Sequence, residues 1–379
     1  MDFTFNEAQE AVAEAAASIF NGLVTPDRVA EVEATEDRCD QQLWRQLAEA
    51  GLLSLSLPEQ LGGEGLGLLE TCLLLEAQGR VVAPIPLHAT LVLGAWPVVK
   101  FGTPEQQLRY LAGVGDGSTR ATAALTEIAL STTGRPGVVA TDHESGYKLT
   151  GTAAAVPHAH LAGFMLIPAV TAAGDTIVAI VEPNLAGVTL ERAVTTNREV
   201  HPNVLLHDVV VGDSEILAGP DRGAAVVAAM LEAAMTGLAV ISVGAGEAAI
   251  AQTAAYLNER EQFGRPLSTF QGTMLRLADA AIDLEAIRVT AWNAAWLIDE
   301  GFDAAEAVRV AKWQASERGQ RVVHATQHLH GGMGADISYP MHRYFLWCKQ
   351  IELMLGGPSI QLAALGALLA ARPVGAGGR

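Results

Sequence analysis

The chain has 379 residues, half of them hydrophobic, and carries a formal net charge of -18 at pH 7. This length exceeds what one compact core usually holds, so the sequence predicts two or three domains. The negative charge predicts no nucleic-acid partner, because a phosphate backbone would be repelled. The three cysteines, Cys39, Cys72 and Cys348, are odd in number and far apart, which disfavours a disulfide framework or a Cys-rich metal site.

Segments that would direct the chain into or across a membrane are not expected. The N-terminal stretch Met1–Glu7 is acidic and lacks the basic segment and apolar run of a secretion signal. The charge-free run Ala233–Gly246 is too short to span a bilayer and is better explained as a buried helix. We therefore expect a cytoplasmic protein without a membrane span.

Residues 1–118 show the pattern of helices separated by turn residues. Asp40 is placed to cap one short helix, which Gly51 would end. Asn6-Glu7 marks the start of an amphipathic helix. Its predicted apolar face is Ala11, Ala15, Ile19 and Leu23.

Residues 119–219 change to short runs rich in β-branched and aromatic residues. The runs are 138–140, 147–150, 164–167, 176–181 and 204–206. Gly, Pro, Asn and Asp separate them at strand-and-turn intervals. This pattern predicts an antiparallel sheet or a small barrel.

Helical periodicity returns at residue 220 and continues to residue 379. One long helix is predicted to bury a face made of Leu277, Ala281, Leu284, Ile287, Ala291, Ala294 and Ile298. Helices, then strands, then helices give an α+β fold class. The predicted domains are a helical domain at 1–118, a β-domain at 119–219 and a four-helix bundle at 220–379.

Five short motifs, spread over nearly the whole chain, point to one family. They are Leu57–Gly63, Ala124–Glu127, Gly151-Thr152, Arg260–Gly264 and His330–Gly332. Together they resemble the acyl-CoA dehydrogenases, which use FAD to oxidise CoA thioesters. The resemblance implies an acyl-CoA dehydrogenase-like fold with an N-terminal helical domain, a middle antiparallel β-domain and a C-terminal helical bundle.

The same resemblance implies an FAD site that two subunits share. Arg260 stands where the family's arginine reaches the FAD of the neighbouring subunit, and its five fixed donors and permanent charge suit a pyrophosphate. His328 stands where the family usually has glutamine. The candidate cofactor-binding residues are Arg260, Gln262, Phe263, Phe270, Gln271, His328, Gly331 and Gly332.

His324 and His328 lie four positions apart on one face of a predicted helix, a spacing that could place two ligands on a metal ion. Neither a Glu-x-x-His partner nor a catalytic carboxylate accompanies them. The sequence therefore predicts no metal.

The catalytic base of the family is missing. Members remove the α-hydrogen of the thioester with a glutamate, most often in a C-terminal Glu-Gly-Thr or Glu-Gly-Ser turn, and the matching residue here is Gly356. A minority place the base on the helix before the arginine motif, where this chain has Ala234. Glu232 lies two residues away, which turns it by about 200° around a helix. No catalytic base is therefore assigned.

Two segments that hold the flavin ring in the family are also altered. Thr126–Thr132 keeps only the first two residues of the family's Thr-Glu-Pro-x-Ala-Gly-Ser loop. Ala155-Val156-Pro157 replaces the Trp-Ile-Thr or Trp-Ile-Ser that covers the ring. The sequence thus keeps residues that would reach a neighbour's flavin and loses those that would hold its own.

This division resembles the base-lacking subunit of the heterotetrameric (α2β2) acyl-CoA dehydrogenases of bacterial steroid side-chain degradation. The similarity is carried by residues 328–334, 339–344 and 355–358. It implies a homologous base-carrying partner subunit, FAD shared with that partner, and a steroid-CoA or other acyl-CoA substrate. Electron-transfer flavoprotein is the implied electron acceptor.

A self-sufficient homomeric flavoenzyme is the second hypothesis. It requires a relocated base, for which Glu232, Glu247 and Glu352 are the candidates, or the chemistry of a flavin monooxygenase of the same fold, which needs no base. The joint loss of three flavin or base positions favours the heteromeric hypothesis.

Overall fold

The structure, a computed structural model, describes residues 4–131 and 134–371. Residues 1–3, 132–133 and 372–379, which include Met1–Phe3 and Thr132 of the segments discussed above, lie outside the described residues. The N-terminal part is helical, as predicted. Its elements are α1 (Glu7–Leu23), α2 (Pro26–Glu33), α3 (Gln41–Glu49), α4 (Leu68–Val81), a π-helical segment (His88–Ala95), α5 (Trp96–Phe101) and α6 (Pro104–Leu111).

Short polar side chains start α1 and α3 where the sequence predicts. The Asn6 Oδ1 accepts the Gln9 N–H at 2.9 Å, and the Gln9 side chain accepts the Asn6 N–H at 3.0 Å. Asp40 Oδ1 accepts the N–H groups of Gln42 and Leu43. Both predicted helix starts are confirmed, and each depends only on groups within three residues of the cap.

The predicted apolar face of α1 is confirmed at Ile19 and Leu23, which pack against the core, and is wrong at Ala11 and Ala15. Ala11 and Ala15 are exposed, whereas Ala16 and Phe20 are buried. Alanines recur on several sides of this helix, so the period alone does not decide which side is buried. The large ring of Phe20 decides it.

The middle part forms one sheet and a short helix, α7 (Thr126–Leu130). The strands are β1 (Ala121–Ala123), β2 (Val138–Asp142), β3 (Gly146–Ala153), β4 (Phe164–Thr171), β5 (Thr176–Val181), β6 (Val188–Glu191), β7 (Asn203–Gly212) and β8 (Ile216–Ala218). Their order is β6-β7-β3-β2-β4-β5-β8, with β1 beside β4. The predicted strands are confirmed, but β4 pairs in parallel with β1 and β2, so the sheet is mixed rather than wholly antiparallel.

Helices return in the C-terminal part, with one short hairpin between the first two. The elements are α8 (Gly223–Glu259), β9 (Glu261–Gln262), β10 (Arg265–Pro266), α9 (Gln271–Asp299), α10 (Ala305–Leu329), α11 (Met341–Leu353) and α12 (Pro358–Ala370). The predicted face of α9 is buried at Leu284, Ile287, Ala291 and Ala294, whereas Ala281 is exposed. The α+β architecture is confirmed, and the proposed boundaries after positions 118 and 219 fall between elements.

Helix α8 is the centre of the helical packing. Residues 233–246 are all buried, as predicted for the charge-free run, and α8 contacts α4, α9, α10 and α11. One hydrophobic core joins the N-terminal helices to the C-terminal ones, and a second core fills the interior of the sheet. A helix surrounded in this way is apolar on every side.

Glycines allow α4 and α8 to touch backbone to backbone. A Cβ on Gly79 would lie 2.2 Å from the Ile241 carbonyl oxygen. A Cβ on Gly244 would lie 2.0 Å from the Glu76 carbonyl oxygen. No side chain fits at either position without moving a helix.

Two helical stretches, Gly223–Glu259 and Met341–Ala370, are long and apolar enough to cross a membrane by length and composition alone. The first is α8, and 72% of its most apolar window is buried in the protein. The second is interrupted by the turn at Leu355–Gly357. Its two helices have 13 residues each, and spanning a bilayer takes about 20.

We predict that Gly244→Ala lowers the free energy of unfolding by about 2 to 3 kcal/mol, because the added methyl group forces α4 and α8 apart. Gly22→Ala is the matched control, since Gly22 lies in α1 and its Cβ would meet no atom within 4 Å. The control should gain about 0.5 to 1 kcal/mol from helix propensity. Denaturant unfolding measures both, and wild-type stability of Gly244→Ala would contradict the close crossing.

Candidate functional site

Arg260 ends α8 and opens a tight hairpin. Its N–H donates to the Tyr256 carbonyl at 2.9 Å, and its own carbonyl accepts the Leu267 N–H at 2.8 Å. At the tip, Phe263 and Gly264 have φ of 56° and 75°. Positive φ at both central residues is the geometry of a type I′ turn. The hairpin is therefore a defined element held at its base and its tip.

The side chains of this hairpin face outward. Phe263 is 93% exposed, and Arg260 and Gln262 are exposed as well. Within residues 4–131 and 134–371, the Arg260 guanidinium has no hydrogen-bond or ion-pair partner, although Glu259 and Glu261 flank it in sequence. A permanent cation without a partner among the described residues and a largely exposed aromatic ring thus stand at the surface.

Phe270 and Gln271 connect the hairpin to α9. The Phe263 and Phe270 rings lie edge to face with centroids 6.2 Å apart. The Arg265 guanidinium carbon lies 4.1 Å from the Phe270 ring centroid, within cation–π range. Gln271, the first residue of α9, is exposed. Sequence reasoning missed Arg265, whose contact arises only when the hairpin folds.

The segment His328–Gly332 lies at the same end of the bundle as the hairpin. The three candidate residues in it are exposed, and a Cβ on Gly331 or Gly332 would meet no atom within 4 Å. His330, between them, is buried and stacks on Tyr256 of α8, with ring centroids 4.5 Å apart. This stack brings together two candidate groups that are far apart in sequence.

Neither of the two positions expected to carry a base offers a carboxylate. Ala234 is fully buried in α8, and its carbonyl oxygen lies 3.0 Å from His88 Nε2. Gly356 has φ of 94°, and a Cβ there would lie 2.9 Å from Ile360 Cγ2. A side chain at position 356 would therefore be both strained and crowded.

A buried lysine fixes the turn at Gly356. The Lys312 Nζ donates to Ser316 Oγ at 2.7 Å, to the Ile351 carbonyl at 2.9 Å and to the Gly356 carbonyl at 3.2 Å. Burial lowers the pKa of Lys312 to about 7, whereas the carbonyl acceptors favour the charged amine. The lysine satisfies carbonyl groups left open at the C-terminus of α11.

The cavity near these two positions is small. Its volume is about 30 Å³, room for one water molecule, whereas cofactor sites take about 300 to 1,000 Å³. Pro157 lines it from the sheet, Leu238 lines it one turn beyond Ala234, and Met354 lines it two residues before Gly356. The residues present therefore do not fit a flavin ring bound by this chain alone.

The Thr126-Glu127 pair retained from the family's loop is engaged with the sheet. Thr126 Oγ1 donates to the Ala155 carbonyl at 3.2 Å. Ala155 has φ of 47°, and its N–H donates to Asn203 Oδ1 at 3.0 Å. The segment that replaces the aromatic cover is thus held in a tight turn.

The three glutamates considered as relocated bases do not line the cavity. Glu247 accepts hydrogen bonds from two arginines, at 3.1 and 3.2 Å. Glu352 accepts one from Lys349 at 2.9 Å. Burial raises the pKa of Glu232, which lies near the start of α10. Glu247 and Glu352 are therefore held in ion pairs, and Glu232 does not line the cavity.

Sequence reasoning missed a buried cluster on the wall of this cavity. His158 and His201 flank the Glu199 carboxylate. Burial alone would raise the pKa of Glu199, yet the two histidines hold it well below its usual range. The residues come from two distant segments, so no local spacing could have signalled them.

Comparisons with known proteins agree with this fold. Residues 6–118 match the acyl-CoA dehydrogenase N-terminal domain, and residues 221–369 match the acyl-CoA dehydrogenase C-terminal domain. Acyl-CoA dehydrogenase FadE27 of Mycobacterium tuberculosis is 35% identical over 98% of this chain and 100% of its own length. The chain therefore belongs to the acyl-CoA dehydrogenase family.

Two solved structures are similar over nearly the whole chain. A variant of the Tcur3481–Tcur3483 steroid ACAD is 44% identical, with a TM-score of 0.90 over 96% of this chain and 98% of that one. The ChsE4–ChsE5 complex from Mycobacterium tuberculosis is 36% identical, with a TM-score of 0.92 over 98% and 100% of the two chains. The resemblance to heteromeric steroid acyl-CoA dehydrogenases is thus confirmed.

We predict that Phe263→Asn raises the free energy of unfolding by about 0.5 to 1 kcal/mol, because an Asn–Gly pair suits a type I′ turn better than a phenylalanine does. Phe302→Asn is the matched control. Phe302 is also exposed and, like Phe263, contacts one aromatic ring, but it does not have a positive φ, so this change should not stabilise. Denaturant unfolding compares the two, and a destabilised Phe263→Asn would show that the ring is kept for folding.

We predict that Lys312→Met lowers the free energy of unfolding by about 2 to 4 kcal/mol, because buried carbonyl groups lose their donor. Lys349→Met, which removes only a surface pair with Glu352, should change it by about 0.5 kcal/mol or less. Thermal and denaturant unfolding measure both. Similar losses in the two variants would argue against a role for Lys312 in fixing the Gly356 turn.

Proposed function

We propose that this chain is the base-lacking subunit of a heteromeric FAD-dependent acyl-CoA dehydrogenase with α2β2 composition. In it, the chain completes the FAD site of a homologous subunit that carries the base. One observation carries the proposal: neither Ala234 nor Gly356 offers a base and the cavity near them has room for one water molecule, while the Arg260 guanidinium is exposed and has no partner among the described residues.

The exposed group has the chemistry that a dinucleotide requires. The Arg260 guanidinium can pair with phosphate oxygens in a planar, two-bond arrangement. Phe263 offers an apolar wall, and the glycines at the end of α10 let a ligand approach the backbone closely. The proposed FAD-contacting set is Arg260, Gln262, Phe263, Phe270, Gln271, His328, Gly331 and Gly332.

The proposed reaction introduces an α,β double bond into a CoA thioester. FAD supplies the hydride acceptor, and the carboxylate that removes the α-hydrogen belongs to the partner. This chain's residues bind and orient, and no group at Ala234 or Gly356 moves a proton. Similarity to a steroid ACAD supports a steroid side chain as substrate. We further propose electron-transfer flavoprotein as acceptor and the cytoplasm as location.

We predict that the purified chain alone shows little flavin absorbance and no dehydrogenase turnover. Co-expression with a base-carrying homologue should give a yellow, active complex with two flavins per tetramer, one for each partner subunit. Absorbance at 450 nm, protein concentration and light scattering measure this ratio. A yellow and active homomer of this chain would overturn the proposal and favour the self-sufficient enzyme.

We predict that Arg260→Ala weakens FAD retention by the complex roughly tenfold or more, because a charge-assisted contact to phosphate is lost. Arg45→Ala is the control, since Arg45 lies on α3 and is exposed. Flavin content after dialysis compares the two complexes. Equal flavin content in both would remove Arg260 from the proposed site even if the heteromer itself forms.

A further inference from the structure

Two segments of the β-domain bring three ligand-type side chains together. The Val156 N–H donates to the Pro202 carbonyl at 2.8 Å, and the His158 N–H donates to the Val200 carbonyl at 3.0 Å. These two bonds hold the segments side by side. The cluster that they create consists of His158, Glu199 and His201.

The donor atoms of this cluster converge on one point. His158 Nε2 lies 3.4 Å from Glu199 Oε1, and His201 Nε2 lies 3.1 Å from Glu199 Oε2. All three donor atoms lie within 4.8 Å of one another. Four-coordinate zinc, with bonds of about 2.0 to 2.1 Å, separates neighbouring donors by about 3.3 Å. Small side-chain adjustments therefore bring the three atoms to one ion.

The cluster is buried and is not a closed hydrogen-bond network. His158 and His201 are 5% and 2% exposed, and the Glu199 side chain is 13% exposed. His158 Nδ1 has no partner in the part of the chain that the structure describes. A cation at contact distance strongly stabilises a buried carboxylate. Hydrogen bonds from the two histidines supply only part of that stabilisation.

The small cavity has room for a fourth ligand of the metal ion. All three residues line the cavity of about 30 Å³, which holds one water-sized ligand. Three protein ligands and one water are the arrangement of open four-coordinate zinc sites. A six-coordinate iron site with the same two histidines and one carboxylate would need about three open positions, which this volume does not provide.

We propose that His158, Glu199 and His201 form a binding site for one divalent transition-metal ion, with Zn²⁺ the best fit. The ion cross-links the turn after Pro157 to the segment that leads into β7. The site takes no part in the proposed FAD contact, because the hairpin lies at the far end of α8.

Metal titration of the full chain tests this proposal. The chain is stripped with a chelator and titrated with ZnSO₄ by calorimetry, and with Co²⁺ by visible absorption. We expect one ion per chain with a dissociation constant below about 1 µM, d–d bands of a four-coordinate cobalt site, and a Zn²⁺-dependent rise in melting temperature. Failure of the wild-type chain to take up a stoichiometric ion would overturn the proposal.

Variants locate the ion. Glu199→Gln, which keeps the size of the side chain, and His201→Asn should each weaken Zn²⁺ binding at least about a hundredfold and abolish the rise in melting temperature. The control is His324→Asn, an exposed histidine outside the cluster and outside the proposed FAD contacts, which should bind Zn²⁺ as the wild type does. Circular dichroism checks folding of each variant. Loss of binding in the control, or full binding by Glu199→Gln, would place the ion elsewhere.

Discussion

The backbone contact between α4 and α8 is the constraint on which the rest of the structure depends. Gly79 and Gly244 leave no space for side chains at this crossing, so α8 is fixed at the centre of a core shared by the N-terminal and C-terminal helices. From that position, Leu238 and Ile241 of α8 line the small cavity, together with Pro157 of the middle part of the chain. The C-terminal end of α8 reaches the surface at the hairpin. The buried and exposed parts of the candidate site are thus two regions of one rigid element.

A surface arginine contributes little to binding by itself, because water and salt screen its charge. Its interaction with a phosphate strengthens when a second protein surface excludes that water. The Arg260 hairpin therefore has the properties of a binding surface that needs a second protein surface to bind a phosphate strongly. The small cavity is consistent with this division, since its volume of about 30 Å³ leaves no room for a flavin ring, and Pro157, from the segment that replaces the aromatic cover, lines it.

Local signals in the sequence predicted much of the fold. The caps at Asn6 and Asp40 and the β-rich runs depend on neighbours in the chain, and so does the buried run at 233–246. The parallel neighbours of β4 and the cluster around Glu199 could not be predicted, because they depend on which distant segments meet. The exposed residues of the hairpin were found by family resemblance, and the Arg265 contact with Phe270 was not.

The length of α8 separates two kinds of evolutionary constraint. At 1.5 Å per residue, Ala234 and Arg260 lie about 39 Å apart along the helix axis. Substitutions near Ala234 are limited by the chain's own interior, whereas in the proposed heteromer substitutions in the hairpin are limited by the partner subunit. Changes in the hairpin should therefore co-vary with changes in the sequence of that subunit. Changes around the cavity are instead constrained by the packing of this chain's own core.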